Sequence, residues 1–257
     1  MRARSRQNEK LIEGWKAEEE KPFTGWDFSY LDGRMLLEQP PWSYSTRARE
    51  LMRSSASVLD IATGGGERLL SMRDSWPEIV VATEGYPPNL ALARQRLEPL
   101  GVRVAELNND EYSPMPFDDG EFSLVLNRHG ALHVDEIARM LVPGGRLLTR
   151  QVHGLWAQDL LAAFGATPQW PDATPQRYVP LMRAAGLSVV DVQEWSGRLV
   201  FTDVGAIVYY LKAVPWLVPG FSVASHTANL MALQKQVQSG SELVYEARNY
   251  LMEAAKP

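Results

Sequence analysis

Cysteine is absent from all 257 residues. Disulfides, thiolate zinc sites and a cysteine nucleophile are therefore excluded. Histidine is scarce. The four present are His129, His133, His153 and His226, and no HExxH motif occurs: His129 and His133 are four apart, but Gly130 stands where the motif's glutamate would be. No catalytic metal is expected. Long apolar runs are also missing: the most apolar stretch, residues 206–221, is interrupted by Lys212, Pro215 and Pro219 and is too short to span a bilayer. The opening Arg2, Arg4 and Arg6 are followed by no apolar segment, so they read as a solvated arm and not as a secretory signal. Nor is there an excess of positive charge. Lys and Arg total 26 against 31 Asp and Glu, a net charge of −5, which gives no general pull toward nucleic acid or anionic membrane. The absences leave a soluble folded chain, expected in the cytoplasm and off the membrane, with its oligomeric state open.

What is present falls into three regions. Residues 1–54 hold Trp15, Trp26, Trp42 and the run Pro40-Pro41-Trp42-Ser43-Tyr44, and read as an N-terminal cap with helical patches near 8–20 and 44–54. Residues 55–196 alternate short apolar strands with amphipathic helices. Strands are expected at 57–61, 79–83, 102–107, 122–126 and 146–152, and helices at 67–75, 88–100 and 134–140. Residues 197–246 are apolar and aromatic again and read as a lid insertion, with a helix around Val208-Tyr209-Tyr210-Leu211. A final antiparallel strand is expected within 247–257. Strand–helix alternation at this spacing predicts an α/β fold with a doubly wound, mainly parallel sheet. In such sheets ligands bind beyond the carboxyl ends of the strands.

The chemistry concentrates at those ends. Asp60-Ile61-Ala62-Thr63-Gly64-Gly65-Gly66-Glu67 lies between the first strand and the first helix. Its missing Cβ atoms let the backbone turn sharply and approach a ligand, while the helix start offers free N–H groups. Glu84 closes the second strand, where a carboxylate can accept hydrogen bonds from both ribose hydroxyls of an adenosine. The dinucleotide pattern GxGxxG fails when started at Gly64, because Leu69 stands where its last glycine belongs. A nicotinamide oxidoreductase is disfavoured for that reason. An acid, three residues, then GxG fits as Asp60, Gly64 and Gly66.

Residues 58–66 resemble motif I of class I methyltransferases that use S-adenosylmethionine, and Glu84 resembles the ribose-binding acid of the next motif. The run 115–125, MPFDDGEFSLV, is similar to the stretch before the family's fourth strand, with Ser123 in place of its usual aspartate. The run 141–148, LVPGGRLL, is similar to its PGG turn. The matches occur in the family's order over residues 55–155. Residues 25–29, 41–44, 127–129 and 201–206 resemble a bacterial branch of mostly undefined substrate. The resemblance implies a seven-stranded Rossmann-like sheet with S-adenosylmethionine as cofactor and S-adenosylhomocysteine as product. It places Gly64, Gly65 and Gly66 against the methionine part and Asp60 toward its amino end. Glu84 falls on the ribose, Asp110 and Glu111 near the adenine amino group, Asn127 facing the transferred methyl, and Tyr44 in a segment covering the cofactor. Tyr86 either stacks on adenine or packs its own loop. Arg47 either forks the methionine carboxylate or makes a surface salt bridge, the reading preferred here.

Methyl transfer from a sulfonium chiefly requires nucleophile and methyl to be held in line. A general base is needed only if the nucleophile carries a tightly held proton. His129 is the candidate base, with hydrogen bonding to backbone or cofactor as the alternative, and Asn127 joins it as a candidate catalytic residue. Seven of the eight tryptophans lie outside 55–150, and aromatic walls suit a small, partly apolar organic acceptor. The leading expectation is methylation of such an acceptor. The alternative is an RNA methyltransferase, against which the acidic balance and the impossibility of a cysteine zinc finger count. A cofactor-binding module without turnover stands third.

Overall fold

The structure is a computed structural model that describes residues 2–23, 27–108 and 113–257, with side chains from residue 6 onward. An eight-stranded sheet runs in the order β1-β7-β8-β6-β5-β2-β3-β4. The strands are β1 (Met35–Leu37), β2 (Ser57–Ile61), β3 (Ile79–Glu84), β4 (Arg103–Glu106), β5 (Phe122–Arg128), β6 (Leu141–Val152), β7 (Ser188–Phe201) and β8 (Leu243–Ala255). The five central strands, β2 to β6, pair in parallel, whereas β8 pairs antiparallel to β6 and β1 antiparallel to β7. The expected seven strands become eight because Met35–Leu37 adds an edge strand, matched to residues 199–201. Three residues carry too little alternation to be read as a strand in isolation.

The chain divides into two compact units. One comprises residues 40–153, 172–195 and 249–257, and contains the parallel strands. Val58, Leu59 and Ile61 of β2 are almost wholly buried, because helices cover both faces of a parallel sheet. On one face α2 (Tyr44–Arg53) presents Tyr44, Ala48, Leu51 and Met52, the spacing of one helical stripe. Ser43 caps it by accepting from the Thr46 amide at 3.2 Å. Leu90, Ala93 and Leu97 of α4 (Pro87–Leu97) pack in the same layer. On the other face, Ile137 and Met140 of α5 (Val134–Met140) meet Tyr178 and Met182 of α7 (Pro175–Ala184) and Tyr250 and Met252 of β8.

The helix expected over 67–75 is divided. The α-helix α3 covers Glu67–Leu70, and a 3-10 turn covers Arg73–Ser75. The break follows from two side chains that take backbone carbonyls: Ser71 Oγ donates to the Arg68 oxygen at 2.7 Å and Trp76 Nε1 to the Leu69 oxygen at 3.0 Å. Ser123 does structural work at the start of β5. Its hydroxyl accepts from the Ala56 and Ser57 amides at 3.0 and 2.9 Å and ties β2 to β5.

The other unit comprises residues 1–39, 154–171 and 196–248. It holds α1 (Arg2–Glu19), α6 (Gln158–Ala163), α8 (Val204–Ala213) and α9 (Thr227–Gln238). Asp203 caps α8 by accepting from the Ala206 amide at 2.8 Å, and the Arg34 guanidinium forks the same carboxylate at 2.9 and 2.7 Å. Every α8 residue except Lys212 is buried, so this helix is the unit's core. Among the described residues, no helix is long and apolar enough to cross a membrane.

Candidate active site

The carboxyl ends of β2, β3, β4 and β5 open onto a cleft of about 530 Å³, lined by Ala62, Glu84, Gly85, Tyr86, Pro87, Asn108, His129, Gly130 and Ala131. It lies where an open α/β sheet is expected to take a ligand. Glu84 organises its wall. The Gly64 amide donates to one carboxylate oxygen at 2.8 Å, and the Gly85 and Tyr86 amides donate to the other at 2.9 and 2.8 Å. One side chain thus fastens the glycine turn after β2 to the turn after β3. A carboxylate offers about four acceptor sites, so this one retains room for a further donor.

The three glycines have different duties. A Cβ on Gly64 would meet nothing within 4 Å, so the turn leaves open space there. A Cβ on Gly66 would sit 2.8 Å from Leu97 Cδ1, and φ there is +82°. Gly66 therefore serves helix packing. Gly65 lies against the side chains of Glu67 and Arg96. Tyr86 is 61% exposed on the wall of the cleft. Ala62 and His129 both adopt left-handed backbone, φ 55° and 65°. That conformation strains residues bearing a Cβ, and both line the cleft.

Asp60 and Tyr44 are buried behind the turn. Burial pushes the Asp60 carboxyl up to about 6, against the pull of Thr63 and Arg128. The Tyr44 hydroxyl, raised by burial and then by Asp60, has no hydrogen-bond partner among the described residues. Solvent reaches His129, yet the ring is crowded by protein in the recess. That desolvation, followed by the positive charges of Arg128, Arg150 and Arg68, holds its imidazole well below the ordinary value. A lowered value leaves the imidazole neutral at pH 7, with one ring nitrogen free to accept and the other to donate a hydrogen bond at the cleft.

Asn127 is held inside the fold. It is fully buried, its Nδ2 donates to the Ala131 oxygen at 2.9 Å, and its Oδ1 accepts from Gln151 Nε2 at 2.6 Å. Its amide shapes the 129–131 loop. Arg47 forks Glu253 at 2.8 and 2.9 Å and also reaches Glu50 at 2.8 Å, the salt-bridge reading. Asp110 and Glu111, and with them Trp26, lie outside the described residues. The structure adds Asn108, Gly130 and Ala131 to the cleft, and Arg68 and Arg150 to its surroundings. The signal for Arg150 was its position near the end of a parallel strand, beside Arg128.

A family model described as "Methyltransferase domain" matches residues 59–149. The demethylmenaquinone methyltransferase of Thermus thermophilus is 30% identical over 171 residues, 54% of this chain and 77% of that protein. The chain belongs to the class I S-adenosylmethionine-dependent methyltransferases. The demethylmenaquinone methyltransferase of Deinococcus radiodurans is 27% identical over 179 residues, 56% of this chain and 73% of its own. Among solved structures, the YcgJ protein of Bacillus subtilis superposes with a TM-score of 0.59 at 16% identity, covering 83% of this chain and 97% of its own. A protein of unknown function from Deinococcus radiodurans gives 0.58 at 15% identity, covering 87% and 91%. These two show the fold. For this methyltransferase, the open space over Gly64 and the ordered carboxylate of Glu84 fit a nucleoside cofactor with an amino-acid tail.

Proposed function

We propose that this methyltransferase methylates a small organic acceptor, with the cofactor's adenosine in the cleft beyond β2 to β5. The observation that carries the reading is Glu84, held by three backbone amides at the mouth of the glycine turn. When bound, the cofactor supplies a methyl group already activated on a sulfonium. The protein's part is to bind and align. Glu84 holds the ribose hydroxyls and Tyr86 covers the adenine, with Asp110 and Glu111 assigned to its amino group. Gly64 leaves space for the methionine part, and Asp60 attracts its ammonium. His129 lines the same cleft and offers a neutral hydrogen-bonding nitrogen beside the reacting region. The name of the two relatives supports a quinone-type ring compound as the acceptor class.

Calorimetric titration with S-adenosylhomocysteine and with NAD, side by side, tests the cofactor assignment. Binding of the first on the order of micromolar, about −8 kcal/mol, with no heat from the second, is the expected result. Heat from NAD alone would overturn it. Transfer of labelled methyl to a demethylated quinol, against an RNA control, then tests the acceptor class.

A further inference from the structure

Arg128 and Arg150 are register partners on the adjacent parallel strands β5 and β6. Their side chains therefore project from the same face of the sheet, one beside the other. Like charges placed directly opposite on neighbouring strands repel. Neither arginine forms an ion pair among the described residues, and Asp60 reaches Arg128 only through its field, without a hydrogen-bonded contact. Arg150 reaches only the Asn249 side-chain oxygen, at 3.5 Å, and the face of Trp42, 5.7 Å from its ring centroid. Arg68, from the helix after the glycine turn, adds a third positive charge that acts on both. Asp60 is the nearby acid, itself half-neutralised near pH 6.

Donors without acceptors surround the pair. Trp42 Nε1, Tyr44 OH, Arg150 Nε and Asn249 Nδ2 are all buried without a hydrogen-bond partner among the described residues. Tyr44 is 5% exposed and Asn249 2%. Such groups are costly to leave unmade, and here they share one deficit, that of an acceptor oxygen. The cofactor cannot remove the charge excess. Its sulfonium and ammonium outweigh its single carboxylate, so its arrival adds one positive charge.

We propose that Arg128 and Arg150 form an anion subsite that takes the methyl acceptor as its ionised hydroxyl, an enolate or phenolate. This rests on the methyltransferase reading above and adds the acceptor's charge state to it. The acceptor's proton is released to water when the anion forms at the guanidinium pair, so His129 need not remove it. The lone pair of the anion, at its oxygen or at a ring carbon conjugated to it, forms the new bond to the methyl carbon. The carbon–sulfur bond breaks with its electrons moving to sulfur, so anion and sulfonium are consumed together. With O-methylation the product is neutral and loses its hold on the arginines. With C-methylation the ring hydroxyl is restored by tautomerisation.

The probe is 4-nitrophenol, whose anion absorbs in the visible. Its ionisation is followed spectroscopically with the protein, free and loaded with S-adenosylhomocysteine. The expected result is preferential binding of the phenolate by about tenfold, a fall of about one unit in the probe's apparent pKa. Arg128→Gln and Arg150→Gln should each abolish the shift while calorimetric affinity for S-adenosylhomocysteine stays within about twofold. Arg150→Lys should keep part of it, since charge survives without the planar fork. No preference for the phenolate, or a preference that survives both glutamine substitutions, overturns the proposal. So does a loss of S-adenosylhomocysteine affinity matching the loss of the shift, which would give the arginines to the cofactor's carboxylate. Failure of the wild-type protein to bind S-adenosylhomocysteine would strike the cofactor reading instead, leaving the measurement on free protein to decide the anion subsite.

Discussion

Gly64 and Gly66 are two residues apart and predict opposite phenotypes. A side chain on Gly64 enters open space, so Gly64→Ala should weaken S-adenosylhomocysteine binding at least tenfold, with only the ~1–2 kcal/mol stability cost of a left-handed backbone. Gly66→Ala drives its Cβ into Leu97 and should cost stability before it costs affinity. Paired calorimetry and thermal melts on both variants separate the two duties; equal behaviour would contradict the division. Asp60 gives a pH dependence. Its folded-state pKa of about 6 exceeds the ordinary 3.8, so the carboxylate needed for the cofactor's ammonium disappears as pH falls through 6. Affinity for S-adenosylhomocysteine should drop about tenfold between pH 7 and pH 5, and Asp60→Asn should bind weakly with no such drop. The same shift makes ionised Asp60 a burden on the empty protein: stability falls as pH rises from the carboxylate range through 6. Asp60→Asn should therefore melt higher at pH 7 and no higher at pH 4. Motif residues such as Gly64 and Glu84 were legible in the sequence because their spacing encodes a turn. The inward aim of Asn127 was not, since Gln151, which claims its amide, is 24 residues away.

Elements were legible where one stripe or one buried strand sufficed. The strand at 57–61 and the helix at 134–140 stand where periodicity puts them, while β5 and β6 extend past the expected ends because ladder partners, not local residues, decide where a strand stops. The run before β5 is held by a clamp the sequence does not display. Glu136 accepts from the Met115 amide at 2.7 Å and forks Arg139, which in turn reaches the Phe117 and Met115 oxygens at 2.8 and 3.1 Å. Arg139, followed by the Met115 amide, holds the Glu136 carboxyl at about 2. Its contribution is complete above the ordinary 4.5 and is lost as pH falls toward 2. Arg139→Met should cost about 2 kcal/mol, roughly 5 °C in Tm for a chain of this length, and the deficit should shrink in acid. An unchanged melting temperature at pH 7 would show the clamp to be ornamental.

At the scale of the molecule, the two compact units are each assembled from three separated pieces of chain. The C-terminal residues 249–257 belong to the unit that holds the parallel strands, far from them in sequence. The strand order carries a further consequence. β8, residues 243–255, stands between β6 and β7, and residues 146–152 of β6 find their partners at 249–255. During synthesis β6 is made roughly a hundred residues before its neighbour, which at ~5–20 residues per second leaves several seconds of waiting. For that interval the growing chain carries a strand edge over residues 146–152 without its partner, and unpaired edges recruit other strands. Translation speed and chaperone supply, quantities with no place in the finished enzyme, should therefore govern how much of it reaches the folded state.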